Sequence, residues 1–326
     1  MYVVTGGAGF IGSVIVAELN RTYPDEPVVV VDWLKDDERW KNLNTHTIAN
    51  FVFPDDVADF LDDHEEDIKA VIHMGANSAT TEKNVDELAR WNTQFTLDLF
   101  NWCTAAEVPF IYASSASTYG NGEHGFNDND DMDYLQKLCP MNAYGFSKHT
   151  ADKAIVKAED KPPQWAGLKF FNVYGPNEYH KGSMASVAYH TFNQVQATGK
   201  MKLFKSYNSK YADGEQTRDF VYVKDIAKAV TWLLDNPKTS GLFNLGSGEG
   251  RSFKDLATAV FGALNKKVDI EYIDMPDSVR EHYQYFTQAN MDKFIKATGG
   301  EFKPTSLEDG VFDYVQNYLV KDNPYL

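Results

Sequence analysis

A chain of 326 residues, 43% hydrophobic and 14% aromatic, is long enough to bury a large core, and about 150 residues per domain points to two lobes. Lys and Arg number 31 against 47 Asp and Glu; the net charge of −16 repels polyanions and argues against nucleic acid as a partner. No apolar run nears the ~20 residues of a bilayer span, and Cys103 and Cys139 lack the paired spacing of a disulfide framework or zinc site, so neither membrane nor metal is expected.

The strand-like "YVVT" begins at residue 2, which leaves no room for a secretory leader and predicts a cytoplasmic protein. Apolar residues at three- and four-residue spacing predict a helix over 10–20. Further Val-, Ile- and Phe-rich runs follow at 28–32, 70–76, 109–115 and 168–175, separated by helix-length segments that include 142–158. Strands alternating with helices predict an α/β fold: a Rossmann-type, doubly wound parallel sheet, buried on both faces. After about residue 172 the regularity weakens, which suggests a smaller, mixed α/β substrate-binding lobe. The dinucleotide-binding domain is drawn as 1–172 plus about 213–246, where "RDFVYVKDIAKAVTWLLD" restores a strand and a helix. The substrate lobe takes about 173–212 and 247–326, with Ser252 as a helix N-cap.

Between the first strand and helix stands "TGGAGFIG", with Gly6 ahead of Gly7-x-Gly9-x-x-Gly12. Such glycines allow a tight turn, a close backbone approach to pyrophosphate and close strand–helix packing, while the helix N-terminus offers oriented N–H groups. Asp32, about 20 residues on, is placed to accept from the adenosine ribose, which favours NAD. Lys35 and Arg39 lie near the same edge, where a cation could instead hold a 2′-phosphate. "NAYGFSK" puts Tyr144 and Lys148 on one helix face, where an ammonium can stabilise a phenolate for proton transfer. "YASSASTYG" ends its strand with Ser114 and Ser115 at the ligand edge of the sheet, and Ser115 is the choice for a hydroxyl beside Tyr144.

Through "TGGAGFIG", "SSASTYG", "YGFSK", "NVYGP" and "RDFVYVKD" the chain resembles the extended short-chain dehydrogenase/reductase family. Within it, "HMGANSATTE", "FFNVYGPNEYHKGSMASVAYH" and "YQYFTQANM" look most like the nucleotide-sugar epimerases that act on ADP-heptose. The resemblance implies inversion of the heptose C6, a step of lipopolysaccharide inner-core synthesis, by oxidation to a ketone and return of hydride to the other face. Because the hydride donor stays put, the carbonyl must rotate, and one tyrosine cannot serve both oxygen positions equally well. Lys181, in "HKGSM", is the second acid/base group that the resemblance implies, alongside Tyr144, Lys148 and Ser115.

The same resemblance assigns a tightly bound NADP, with NAD possible, to Gly6, Gly9, Phe10, Ile11, Gly12, Asp32, Trp33, Arg39, Met74, Gly75, Ala76, Asn77, Ser78, Asn92, Lys148, Val173 and Lys181. An ADP-sugar falls to Ser115, Asn172, Ser183, His190, Phe204, Lys205, Ser206, Arg218 and Tyr283, with Ser183 and His190 one and two helical turns beyond Lys181. Arg218 is the diphosphate clamp in this reading, since a guanidinium can bond two oxygens at once. A homo-oligomer, a pentamer, is also implied. A hexose 4-epimerase would not require "HKGSM", and a non-catalytic dinucleotide-binding module would be expected to lack the tyrosine or the lysine. A 4,6-dehydratase is disfavoured because Ser115-Ala116-Ser117-Thr118 lacks its acidic pair.

Overall fold

The computed structural model describes residues 1–280 and 283–326. Its central element is a seven-stranded sheet. In chain order the first six strands are β1 (Tyr2–Thr5), β2 (Val28–Val31), β3 (Asn50–Val52), β4 (Ala70–His73), β5 (Phe110–Ser115) and β6 (Trp165–Phe170). The remaining strands are β7 (Asn172–Tyr174), β8 (Met201–Phe204), β9 (Thr217–Tyr222), β10 (Gly241–Leu245), β11 (Gly250–Ser252) and β12 (Ile270–Ile273). The large sheet runs β10-β6-β5-β4-β1-β2-β3 with every neighbouring pair parallel. Strands covered on both faces must be apolar throughout, and β1, β2, β4 and β5 are buried at every position. The strand order reverses between β1 and β4, so a crevice opens there beyond the carboxyl ends of the strands.

The Phe10–Thr22 helix packs against the Val223–Asp235 helix, and Ala143–Lys157 packs on β5 and the Phe95–Ala105 helix. Asn142 starts Ala143–Lys157 by accepting the Gly145 N–H at 2.7 Å, which fixes where its first turn begins. Ser252 does cap its helix, in a reciprocal box with Asp255.

The second half departs from the sequence reading in two places. The run 168–175 is two strands, because the chain leaves the large sheet after Phe170 and enters a second sheet at Asn172. The strand at 217–222, read as part of the dinucleotide-binding domain, is instead the centre of that second sheet, parallel to β7 and antiparallel to β11. Only the helix after it rejoins the first layer. β8 and β12 form a separate parallel pair.

Candidate functional site

The crevice holds a cavity of about 380 Å³. Gly6, Gly9, Phe10, Ile11, Gly12, Asp32, Trp33, Arg39, the run Met74–Ser78 and Lys181 all line it, as do Lys35, Thr5, Trp91, His180 and Met184. The glycine turn is as tight as its spacing suggests. A Cβ on Gly12 would lie 2.1 Å from the Gly6 carbonyl oxygen, so no side chain fits where helix meets strand. A Cβ on Gly9 would meet only that carbonyl, at 3.1 Å, leaving its cavity side open for close backbone approach.

Asp32 directly follows β2 and turns back into the turn, its carboxylate accepting the Ala8 N–H at 3.0 Å and the Trp33 N–H at 2.8 Å. Arg39 stands 3.8 Å from Asp32 and is doubly bonded to Asp37. Burial pushes the Asp32 carboxyl up from its ordinary pKa, with Arg39 and the two N–H groups opposing the shift. On the β4 side, His73 sits wholly buried between the hydroxyls of Thr5, at 2.6 Å, and Thr96, at 2.9 Å; burial drives its pKa well down, so it is neutral. Thr5 also accepts the Gly75 N–H at 3.1 Å, tying the 74–78 run to the floor of the turn.

Three residues assigned to the cofactor do not line the cavity. Asn92 is fully buried and spends its amide on the Asn77 N–H, the Asn77 carbonyl and the Ser147 hydroxyl, so it shapes the 74–78 run from behind. Lys148 is 2% exposed and donates to the Ala113 carbonyl at 2.8 Å, and Val173 is half-buried on β7. Trp91, edge-on to Trp33 with ring centroids 4.5 Å apart, was not singled out from the sequence, though it directly precedes Asn92. His180 was also missed, although it adjoins Lys181.

Ser115 and Tyr144 meet at the carboxyl end of β5. Burial raises the Tyr144 phenol above its ordinary pKa, and a hydrogen bond with Ser115 pulls the other way. Lys148 itself falls to about 8, because its ammonium is desolvated; Asp152 one helical turn on offsets part of that. The Lys148 ammonium is taken up by the Ala113 carbonyl, and the influences on the Tyr144 phenol are burial, Ser115 and, in the raising direction, Asp152. Beneath the pair, Asp152 is 0% exposed and bonded to Lys169 at 2.5 Å, Ser114 at 2.7 Å and Tyr112 at 3.0 Å. Ser114 thus serves this buried network, while Ser115, also buried, accepts the Ser117 N–H at 3.1 Å; neither it nor Tyr144 lines the cavity.

Lys181 rides on a tight turn, Tyr179–Met184, with its Nζ 5.4 Å from the centre of the Phe10 ring. Burial lowers its pKa, and Glu178 partly restores it. The turn is not continuous with the helix carrying His190. Gly182 takes φ +54°, and Ser186 starts a fresh helix over Val187–Thr198 by accepting the Tyr189 N–H, so Ser183 and His190 are not one and two turns along from Lys181. Ser183 is exposed, and the His190 ring reaches its carbonyl at 3.4 Å.

Arg218 lies on β9, 9% exposed, with its guanidinium 5.3 Å from the Tyr283 ring and 5.5 Å from Phe253. Among the described residues it has no carboxylate partner; the neighbouring Asp219 points to the other face, accepting from Ser247, Gly248 and Ala289. Burial lowers the Arg218 pKa. Phe204 ends β8 half-buried, and Asn172 is exposed at the start of β7. Lys205 instead pairs with Asp274 at 3.1 Å, and Ser206 is occupied within its own loop by Asp213 and Asn208. No group of metal-ligating side chains and no helix long and apolar enough to cross a membrane occurs among the described residues.

Residues 2–246 match the model of the NAD dependent epimerase/dehydratase family. The chain belongs to that family. Its cofactor is accordingly a nicotinamide dinucleotide, and the open side of Gly9, the Phe10–Thr22 helix N-terminus and the Asp32 edge fit one. Over its full length this epimerase/dehydratase is 46% identical to the whole ADP-L-glycero-D-manno-heptose-6-epimerase of Fusobacterium nucleatum. It is 47% identical to that of Nitratidesulfovibrio vulgaris, again over all of both chains. The solved Helicobacter pylori ADP-L-glycero-D-manno-heptose-6-epimerase is 28% identical with a TM-score of 0.79, covering 97% of this chain and 95% of that one.

Proposed function

We propose that this enzyme inverts C6 of ADP-D-glycero-D-manno-heptose to give the L-glycero epimer, for lipopolysaccharide inner-core heptose. The observation that carries the reading is Lys181: a lysine from the second half of the chain lines the same cavity as the glycine turn, over the Phe10 ring. When bound, the nicotinamide cofactor supplies hydride uptake from C6 and hydride return. Tyr144, with Ser115 beside it, exchanges the proton of the C6 oxygen in one orientation. Lys181 exchanges it in the other, after rotation about one exocyclic bond, and its lowered pKa suits that work. Arg218, buried with no carboxylate partner among the described residues, holds the diphosphate, with Tyr283 packed on its guanidinium. Lys148 braces the nicotinamide-side helix through Ala113.

For the cofactor we favour NADP over NAD. Asp32 already accepts two backbone N–H groups beside Arg39, and Lys35 adds a second cation at that edge, which suits a 2′-phosphate better than a hydroxyl needing an acceptor. A cytoplasmic homo-oligomer is proposed on family resemblance.

The test is incubation with ADP-D-glycero-D-manno-heptose, following C6 by NMR, with no net change in reduced-cofactor absorbance. Tyr144→Phe and Lys181→Met should each retain a half-reaction on one epimer only. Equal loss on both epimers from both variants would overturn the two-group mechanism.

A further inference from the structure

The turn that presents Lys181 is held by a carboxyl group that the reaction does not use. Glu178 is 1% exposed. Its Oε1 accepts from the Ser186 hydroxyl at 2.7 Å and, more weakly, from the Gly175 N–H at 3.4 Å, while Oε2 accepts from the Ser186 N–H at 2.5 Å. Gly175 precedes the Tyr179–Met184 turn and Ser186 follows it, so one side chain ties both ends. The Glu178 carbonyl also accepts the Lys181 N–H at 3.0 Å.

The start of the turn is also held from outside, by Tyr179 donating to the Pro324 carbonyl at 2.7 Å and Asn42 donating to the Asn177 carbonyl at 3.1 Å, but beyond Lys181 it is open. A Cβ on Gly182 would meet nothing within 4 Å, and Gly182, Ser183 and Met184 are exposed. Glu178 forms no ion pair among the described residues; burial pushes its carboxyl pKa up, and the bonds from Ser186 oppose that shift and offset the cost of burying the charge.

We propose that Glu178 is a positioning residue for Lys181: it clasps the turn so that the ammonium stands over Phe10 at the cavity wall, and it supplies the negative charge that Lys181 faces. This rests on the reading of Lys181 as an acid/base group. The titratable groups around the pair are few. His180 adjoins Lys181 on its own segment, with Asp37 and Arg39 facing His180 from the β2 side. Tyr179, Tyr189 and Tyr314 surround Glu178, the last two from the Val187–Thr198 and Leu307–Tyr314 helices.

Two variants separate clasp from charge. Glu178→Gln keeps an acceptor for the Ser186 N–H and can donate its amide to the Ser186 hydroxyl, but carries no charge; Glu178→Ala removes both. Holoenzyme content, thermal unfolding and the pH profile of conversion from each epimer are read for both, beside Lys181→Met. With the negative charge gone, the Lys181 ammonium loses its proton more readily. The limb of the profile that Lys181→Met abolishes should therefore move to lower pH in Glu178→Gln, by about one unit. Glu178→Ala should lose about 10²-fold in kcat with KM little changed, the cost of a displaced catalytic group. A Glu178→Gln profile that overlays the parent overturns the inference even if Glu178→Ala fails to fold. If Lys181→Met itself shows equal loss from both epimers, the Lys181 reading falls and this inference falls with it; a one-sided Lys181→Met loss with an unmoved Glu178→Gln profile removes only Glu178.

Discussion

His149 follows Lys148 on the Ala143–Lys157 helix and is 2% exposed, with neither ring nitrogen making a hydrogen bond of normal geometry, although the Leu135 carbonyl approaches. Desolvation first, then the Lys169 and Lys153 charges, lower its pKa from 6.5 to about 4. The unfolded chain therefore binds a proton between those values that the folded one refuses, and stability is lost as pH falls through that window. At pH 5 the two pKa values give about 2 kcal/mol of destabilisation relative to pH above 7. His149→Leu removes the group at similar volume. Urea unfolding of cofactor-saturated parent and variant at pH 7.5 and pH 5 should show the variant equal or more stable at 7.5, and its advantage growing by about 2 kcal/mol at 5. His73, His46 and His180 also have lowered pKa values and contribute equally to both proteins, so only the difference is read. An advantage that does not change with pH would mean that His149 is hydrated or paired, and the argument would be wrong.

Lys169→Met leaves Asp152 buried with two hydroxyl donors and no cation, so unfolding in urea should show a loss of about 3–5 kcal/mol, far beyond what any exposed pair gives; a loss below about 1 kcal/mol would show the pair to be open to water. Gly12→Ala sets a methyl 2.1 Å from the Gly6 carbonyl, and overpacking of about 1–3 kcal/mol should weaken dinucleotide binding about 10- to 100-fold. Dinucleotide released from the purified variant, quantified by chromatography against the parent, checks it; parental content would show that the turn yields without cost.

The parts legible in the sequence are those with a local cause. Val28–Val31 must be an interior strand because no polar face interrupts it, and the glycine turn, Asn142 and Ser252 declare element ends through their own side chains. What sequence could not supply depends on partners far along the chain. The three-residue β3 has too little pattern to stand out beside β2. The break between Lys181 and His190, expected as successive helical turns, is decided by Ser186 and by Glu178 eight residues earlier. Asn42, whose buried amide bonds the carbonyls of Ala8 and Asn177, links the glycine turn to the Lys181 segment over 135 residues and has no local signature. Arg218 is a case where more was available: adjacent strand residues face opposite ways, so Asp219 could not have been its partner.

That absence of partners bears on how an acidic protein takes an anionic substrate. The chain carries −16 overall, which repels a nucleotide diphosphate at long range. Yet Lys148, Lys181 and Arg218 are each withdrawn from water without a carboxylate within ion-pair distance among the described residues, and desolvation lowers the pKa of all three. The acidic excess lies on solvated loops and helix faces, where water and salt screen it within about 10 Å. The buried cations are not so screened, and nearby Glu178 and Asp152 relieve only part of the desolvation at Lys181 and Lys148. Local attraction at Arg218 can therefore exceed the general repulsion, and substrate affinity should respond to ionic strength less than the net charge alone would suggest.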